Sequence, residues 1–144
     1  MPIGVSCQPR EGPGSLGHQG VLLVKMFLTM AAALMMVLGT GWLLAPEQML
    51  AAGGSASDAA GVYLGRRYGG MFFGYATVLS LARNAAASSA RSAIFGGVAV
   101  VAGLMTCVTL FGIAIGAMSG PVAWSTVVIE ASLSVGFLYC YRRG

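Results

Sequence analysis

The chain is built from long apolar runs separated by short polar or glycine-rich breaks. Four runs stand out, at about residues 21 to 45, 62 to 83, 93 to 118 and 122 to 141. Each is long enough to cross the roughly 30 Å hydrocarbon core of a bilayer as a helix. A membrane β-barrel would alternate with a two-residue period, and these runs are continuous. The third run is longer than the core is thick, which predicts a tilted helix. Among the breaks, Pro46 stops the first helix because it lacks an N–H and disfavours helical geometry in the residue before it. "GGSASDAAG", residues 53 to 61, reads as a small-residue loop. "NAAASSARS", residues 84 to 92, is a connector whose alanines allow helix to continue above the membrane. "SGP", residues 119 to 121, reads as a tight turn in which Gly120 closes one helix and Pro121 opens the next. Short connections make neighbours antiparallel, so the predicted fold is all-α, an integral membrane antiparallel four-helix bundle.

Residues 1 to 20, rich in Gly and Pro and without periodicity, form a predicted disordered tail ahead of a transmembrane domain at 21 to 144. "MFLTMAAALMMVLG", from Met26, would open a membrane protein by itself, which makes Met26 an alternative expected start to Met1. A cleaved signal peptide, with "MLAAGG" as its cleavage site, is the competing reading of the first run, whose length exceeds the usual apolar region of about 7–15 residues.

Composition supports the membrane reading. Apolar residues are 57% of the chain and charged residues 8%, against about 25% in a soluble domain. The net charge of +4 comes from scattered arginines without a basic tract, which argues against nucleic acid as a partner. What the charge reports instead is orientation. Four spans place Arg10, Lys25, Arg83, Arg91, Arg142 and Arg143 on one side, while the opposite loops hold Glu47 and Asp58. The positive-inside rule then puts both termini in the cytoplasm of an inner, or plasma, membrane. Trp42 and Trp124 at one end and Tyr139 and Tyr141 at the other fit interfacial aromatic belts.

Candidate chemistry is sparse. Cys7, Cys107 and Cys140 have no paired spacing and the sole histidine, His18, lies in the tail, so no metal site is predicted and the thiols read as small buried apolar groups. Met26, Met30, Met35 and Met36 read as gap-fillers rather than as copper ligands. No Ser–His, Cys–His or paired-carboxylate arrangement can be assembled within the runs, and no cofactor or enzyme activity is expected.

One acid remains. Glu130 lies about nine residues into the fourth run, roughly 13 Å deep along a helix axis. Ionised there, it costs at least about 2.5–3.5 kcal/mol unless paired or wetted. Arg66 and Arg67 enter from the same side, roughly 6–9 Å deep. An ion pair between the second and fourth helices is the leading expectation, with Arg67 favoured for the inward position. Two alternatives stand beside it. In one, both arginines anchor at the interface and a protonated Glu130 bonds a Ser or Thr neighbour. In the other, the constellation handles protons or a polar or anionic ligand. Gly65 and Gly69, Gly70 and Gly74, and the series Gly112, Gly116 and Gly120 repeat at four-residue spacing, which lets helices approach closely within one chain or between two.

"RRYGGMFFGYATVLSLAR", residues 66 to 83, after a first helix ending in "LLAPE", resembles a group of small four-helix bacterial inner-membrane proteins, DoxX-like in shape. Arg66 or Arg67 with Gly69 and Gly70 occupies that group's Arg-x-x-Gly-Gly-type opening of the second span. The resemblance implies the bundle and, by analogy, an accessory subunit. The expected function is a non-enzymatic structural or accessory component of the bilayer with a homodimer or membrane-protein partner. The alternative is a small dimeric transporter or channel using Glu130 with Arg66 or Arg67.

Overall fold

The computed structural model describes residues 18–143, all-α in architecture. Four long helices, α1 (His18–Leu44), α3 (Ala59–Asn84), α4 (Ser89–Ala114) and α5 (Gly120–Arg143), and one short helix, α2 (Pro46–Ala52), follow in that order. The stretches Gln19–Leu44, Ser89–Ala114 and Gly120–Arg142 are long and apolar enough to cross a membrane. Helix α3 is as long, 26 residues, but less apolar, because Arg66, Arg67, Arg83 and five glycines dilute its aliphatic positions. Most of the expected tail, residues 1 to 17, and with it Cys7, lies outside the described residues. His18 to Gly20 belong to α1.

The boundaries correct the sequence reading in three places. Pro46 does end α1, but it also opens α2, because a proline at the first helical position has no N–H to leave unpaired. The segment after α1 is therefore a short helix before it is a loop. Helix α4 starts and stops four residues before the predicted 93 to 118 run. Ser88 caps its first turn, its hydroxyl accepting from the Arg91 N–H at 3.2 Å. At the other end Gly116, at φ 74°, takes the left-handed position of a Schellman stop, with Ala117 N donating to Gly112 O at 2.9 Å and Gly116 N to Ile113 O at 3.1 Å. Gly116 and not Gly120 closes that helix. Gly120, at φ 83°, begins α5, ahead of Pro121. Asp58, expected as a loop charge, caps α3 by accepting from the Gly61 N–H at 2.7 Å.

The helices are organised as two antiparallel hairpins. In the first, α1 lies along α3: Gly39 faces Gly69 and Phe73, Trp42 lies over Gly65, and the Arg83 guanidinium donates to Thr29 Oγ1 at 3.1 Å. In the second, α4 lies along α5: Ser134 Oγ donates to the Ala99 carbonyl at 2.9 Å, and Gly96 faces the Tyr141 ring. Each pairing runs end to end in opposite directions, as short connections require.

The hairpins join at both ends. At the end where α1 begins and α5 finishes, the terminal end, Val24, Leu28, Leu79, Ala82, Phe95, Ala99, Phe137 and Cys140 make one buried cluster drawing on all four long helices. Phe27 packs edge-on to Phe137 with ring centroids 5.0 Å apart, and against Gly136, where no side chain intervenes. At the opposite end the loops are laced by hydrogen bonds. Ser55 Oγ donates to Ala117 O at 3.0 Å and Ser119 N to Gly53 O at 3.2 Å. Gly54, at φ 73°, permits that contact: a Cβ there would fall 2.5 Å from Ser119 Oγ.

Candidate functional site

Between these two closures the hairpins part. A cavity of about 130 Å³ opens there, walled by α3 on one side and by α4 and α5 on the other. Its lining runs from fully buried Leu79 and Phe137, both 0% exposed, to exposed Tyr68, Met71 and Met105. Phe72 and Tyr75 add aromatic surface and Met35 reaches it from α1. The one ionisable carboxylate in this lining is Glu130.

Glu130 is half-buried, and its Oε2 accepts a 2.9 Å hydrogen bond from the hydroxyl of Thr109, which is 7% exposed. That bond crosses from α4 to α5, twenty-one residues apart in the chain. Thr109 is the hydrogen-bond donor to Glu130 among the described residues.

The expected ion pair is not formed among the described residues. Arg66 and Arg67 are exposed, and neither lines the cavity. The reason is azimuth rather than depth. At about 100° per residue, Tyr68, Phe72, Tyr75 and Leu79 share one arc of α3, Gly65, Gly69 and Ala76 adjoin it on one side, and exposed Met71 marks its rim on the other, with Arg67 about 40° beyond that rim. Arg67 stands about 140° round from Phe72, and Arg66 about 120°. Depth had been readable from position along the run, but helix rotation depends on which face α1 takes. The geometry at Glu130 is that of the alternative in which a hydroxyl neighbour holds the carboxyl and the arginines lie at the surface.

The glycines divide. At Gly69 an added Cβ would fall 2.7 Å from Leu43 Cγ and 2.9 Å from the Gly39 carbonyl, so α1 and α3 touch backbone to backbone there. Gly65 packs under the Trp42 ring in the same seam. Gly70 and Gly74 face open space. Gly112 has only the Met118 side chain at ordinary contact distance, and Gly116 and Gly120 serve backbone turns rather than helix packing. Gly39, the acceptor of the Gly69 seam, was not visible in advance, because the four-residue spacing rule sees one helix at a time.

Other candidates fall out similarly. Cys140 is buried as expected, but Cys107 is exposed on the outer face of α4, which corrects the reading of it as a buried group. Both are free thiols. No group of three or more His, Cys, Asp or Glu side chains converges among the described residues. Trp42 lies partly packed against Tyr68, with ring centroids 6.3 Å apart, whereas Trp124 is exposed as an interfacial residue would be. Lys25 and Arg83 flank Thr29 in a groove at the terminal end of the α1–α3 hairpin.

In comparisons with protein-family models, curated proteins and solved structures, the chain matches none.

Proposed function

We propose that the chain is a four-span protein of the bacterial inner membrane that works without catalysing a reaction, as an accessory component offering a mid-membrane site to a partner molecule. In this reading α3 is the second span. Its arginines lie near the span ends, where long side chains reach the headgroups, and α1 packs along its length. Both termini and the connector bearing Arg83 and Arg91 lie in the cytoplasm. The likeness of the Arg66–Gly70 stretch to the DoxX-like group points to the same accessory role.

The observation that carries the reading is Glu130 itself. A carboxyl can lock two helices through a hydroxyl alone, as the Thr109 bond between α4 and α5 does, but such a lock does not require a cavity beside it. Here Glu130 takes a single hydroxyl donor and lines a cavity. Ionisable groups placed so within a membrane mark working sites as a rule.

The same cavity favours a second reading, a small dimeric transporter or channel in which Glu130, with Arg66 and Arg67 at the outer surface, lies on a pathway. Purification from native membranes in mild detergent separates the two. A stoichiometric second protein, lost in the Glu130→Gln variant, supports the accessory role. An isolated homodimer supports transport, and a lone monomer with neither counts against both.

A further inference from the structure

The cavity offers a chemical description of its occupant. Its walls are aliphatic, thioether and aromatic, and its single charge-bearing group is a carboxyl. We propose that it binds a small lipophilic monocation, an ammonium carrying apolar substituents, with Glu130 as the counter-charge. This rests on the reading of the cavity as the working site.

Four features converge on that class. The first is charge complementarity. Among the described residues Glu130 is held by the Thr109 hydroxyl and no arginine or lysine pairs with it, so ionisation there is costly until an incoming cation supplies the counter-charge that the chain does not. An anion would meet the carboxylate with no basic side chain in the lining to offset it. The second is ring surface: Tyr68, Phe72 and Tyr75 line the same wall, and aromatic faces attract alkylammonium groups, more strongly once water is excluded. The third is adaptability. Met35, Met71 and Met105 lie around the site, and flexible thioethers accommodate varied apolar shapes. The fourth is size. A cavity near 150 Å³ holds a benzene, so about 130 Å³ encloses one ring-sized group and leaves the rest of the ligand towards the exposed Tyr68, Met71 and Met105. A lipid acyl chain is the competing occupant. It would fill the volume and leave the carboxyl unanswered.

The test uses the full-length protein in detergent and two probes of nearly one shape. Benzyltrimethylammonium carries the charge, and neopentylbenzene is its neutral isostere. Dicyclohexylcarbodiimide, a lipid-soluble carboxyl reagent, reports on Glu130 by mass spectrometry of the labelled peptide. The expected result is saturable binding of benzyltrimethylammonium, which slows carbodiimide labelling of Glu130, with no such protection by neopentylbenzene at equal occupancy of the micelle. Glu130→Gln lowers affinity by at least about tenfold and Tyr75→Leu by about threefold. Equal protection by the neutral probe overturns the cation inference and shows an apolar pocket. Labelling that neither probe slows also overturns it, while leaving an accessible site for a different occupant. Failure of the carbodiimide to reach Glu130 at all overturns both the inference and the reading of the cavity as a working site. These arms need only the wild-type chain, so they hold even if a variant misfolds.

Discussion

The terminal end of the molecule and its middle solve the same problem in opposite ways. At the terminal end, Phe27, Phe95 and Phe137 interlock with Leu28 and Leu79, and all four long helices close on each other. Halfway along, α1 stays on α3 and α4 on α5, but the two hairpins part around Glu130. Lipid tails are as apolar as leucine, so inside a bilayer helices stay together through close packing and a few hydrogen bonds rather than through escape from water. A region that does not interlock is therefore held open at little cost, provided its neighbours are closed. The cluster at one end and the Ser55–Ala117 and Ser119–Gly53 bonds at the other supply those closures. Packing in this protein is concentrated, and the gap between the packed regions is where Glu130, the one acid in the four long helices, sits.

Removing the closure should have the largest effect. Phe137→Ala empties the centre of the terminal cluster and is expected to cost about 2–3 kcal/mol, measured by thermal or denaturant unfolding in detergent. That is below the roughly 3–5 kcal/mol of a water-soluble core, because in lipid the transfer term falls away and the cavity term remains. If Phe137→Ala is as stable as wild type, the terminal cluster is not what holds the hairpins together.

Next comes the seam inside the first hairpin. Gly69→Val drives two methyl groups into Leu43 and the Gly39 carbonyl and is expected to destabilise by about 1–3 kcal/mol. Gly70→Val, one residue on and facing open space, should be close to neutral by the same assay. Equal effects from the two substitutions would mean that α3 presents a different face to α1.

A smaller effect is expected at the loop end. Ser55→Ala removes one exposed hydrogen bond between the hairpins, worth about 0.5–1.5 kcal/mol. Hydrogen exchange in the 115–119 turn should rise, while exchange in the terminal cluster stays unchanged. A uniform rise across both would contradict the picture of two separate closures.

Much of this was legible in the sequence. Helices α1, α4 and α5 follow from apolar runs alone, and α3 from its length and the short breaks around it. Helix α2 was not legible, because a proline after a long run reads equally as a stop and as a start. The shift of α4 by four residues depended on Ser88 and Gly116, whose capping roles are local hydrogen bonds rather than hydropathy. Glu130 was legible as the one acid inside the long apolar runs. Its partner was not, since position along a helix gives depth but leaves rotation open. Thr109 carried no mark distinguishing it from Thr106 or Thr126, both of which bond to carbonyls four residues back in their own helices.

Double-mutant cycles on Glu130 test the central claim most directly. Thr109→Val and Glu130→Leu, alone and together, should be coupled by about 1 kcal/mol in unfolding free energy, the range of interhelical hydrogen bonds in membranes. Arg67→Gln and Glu130→Gln should combine additively, as should Arg66→Gln and Glu130→Gln. Coupling of Glu130 to either arginine, with none to Thr109, would contradict the account by showing that the acid is spent on an ion pair and that the cavity holds no unanswered carboxyl.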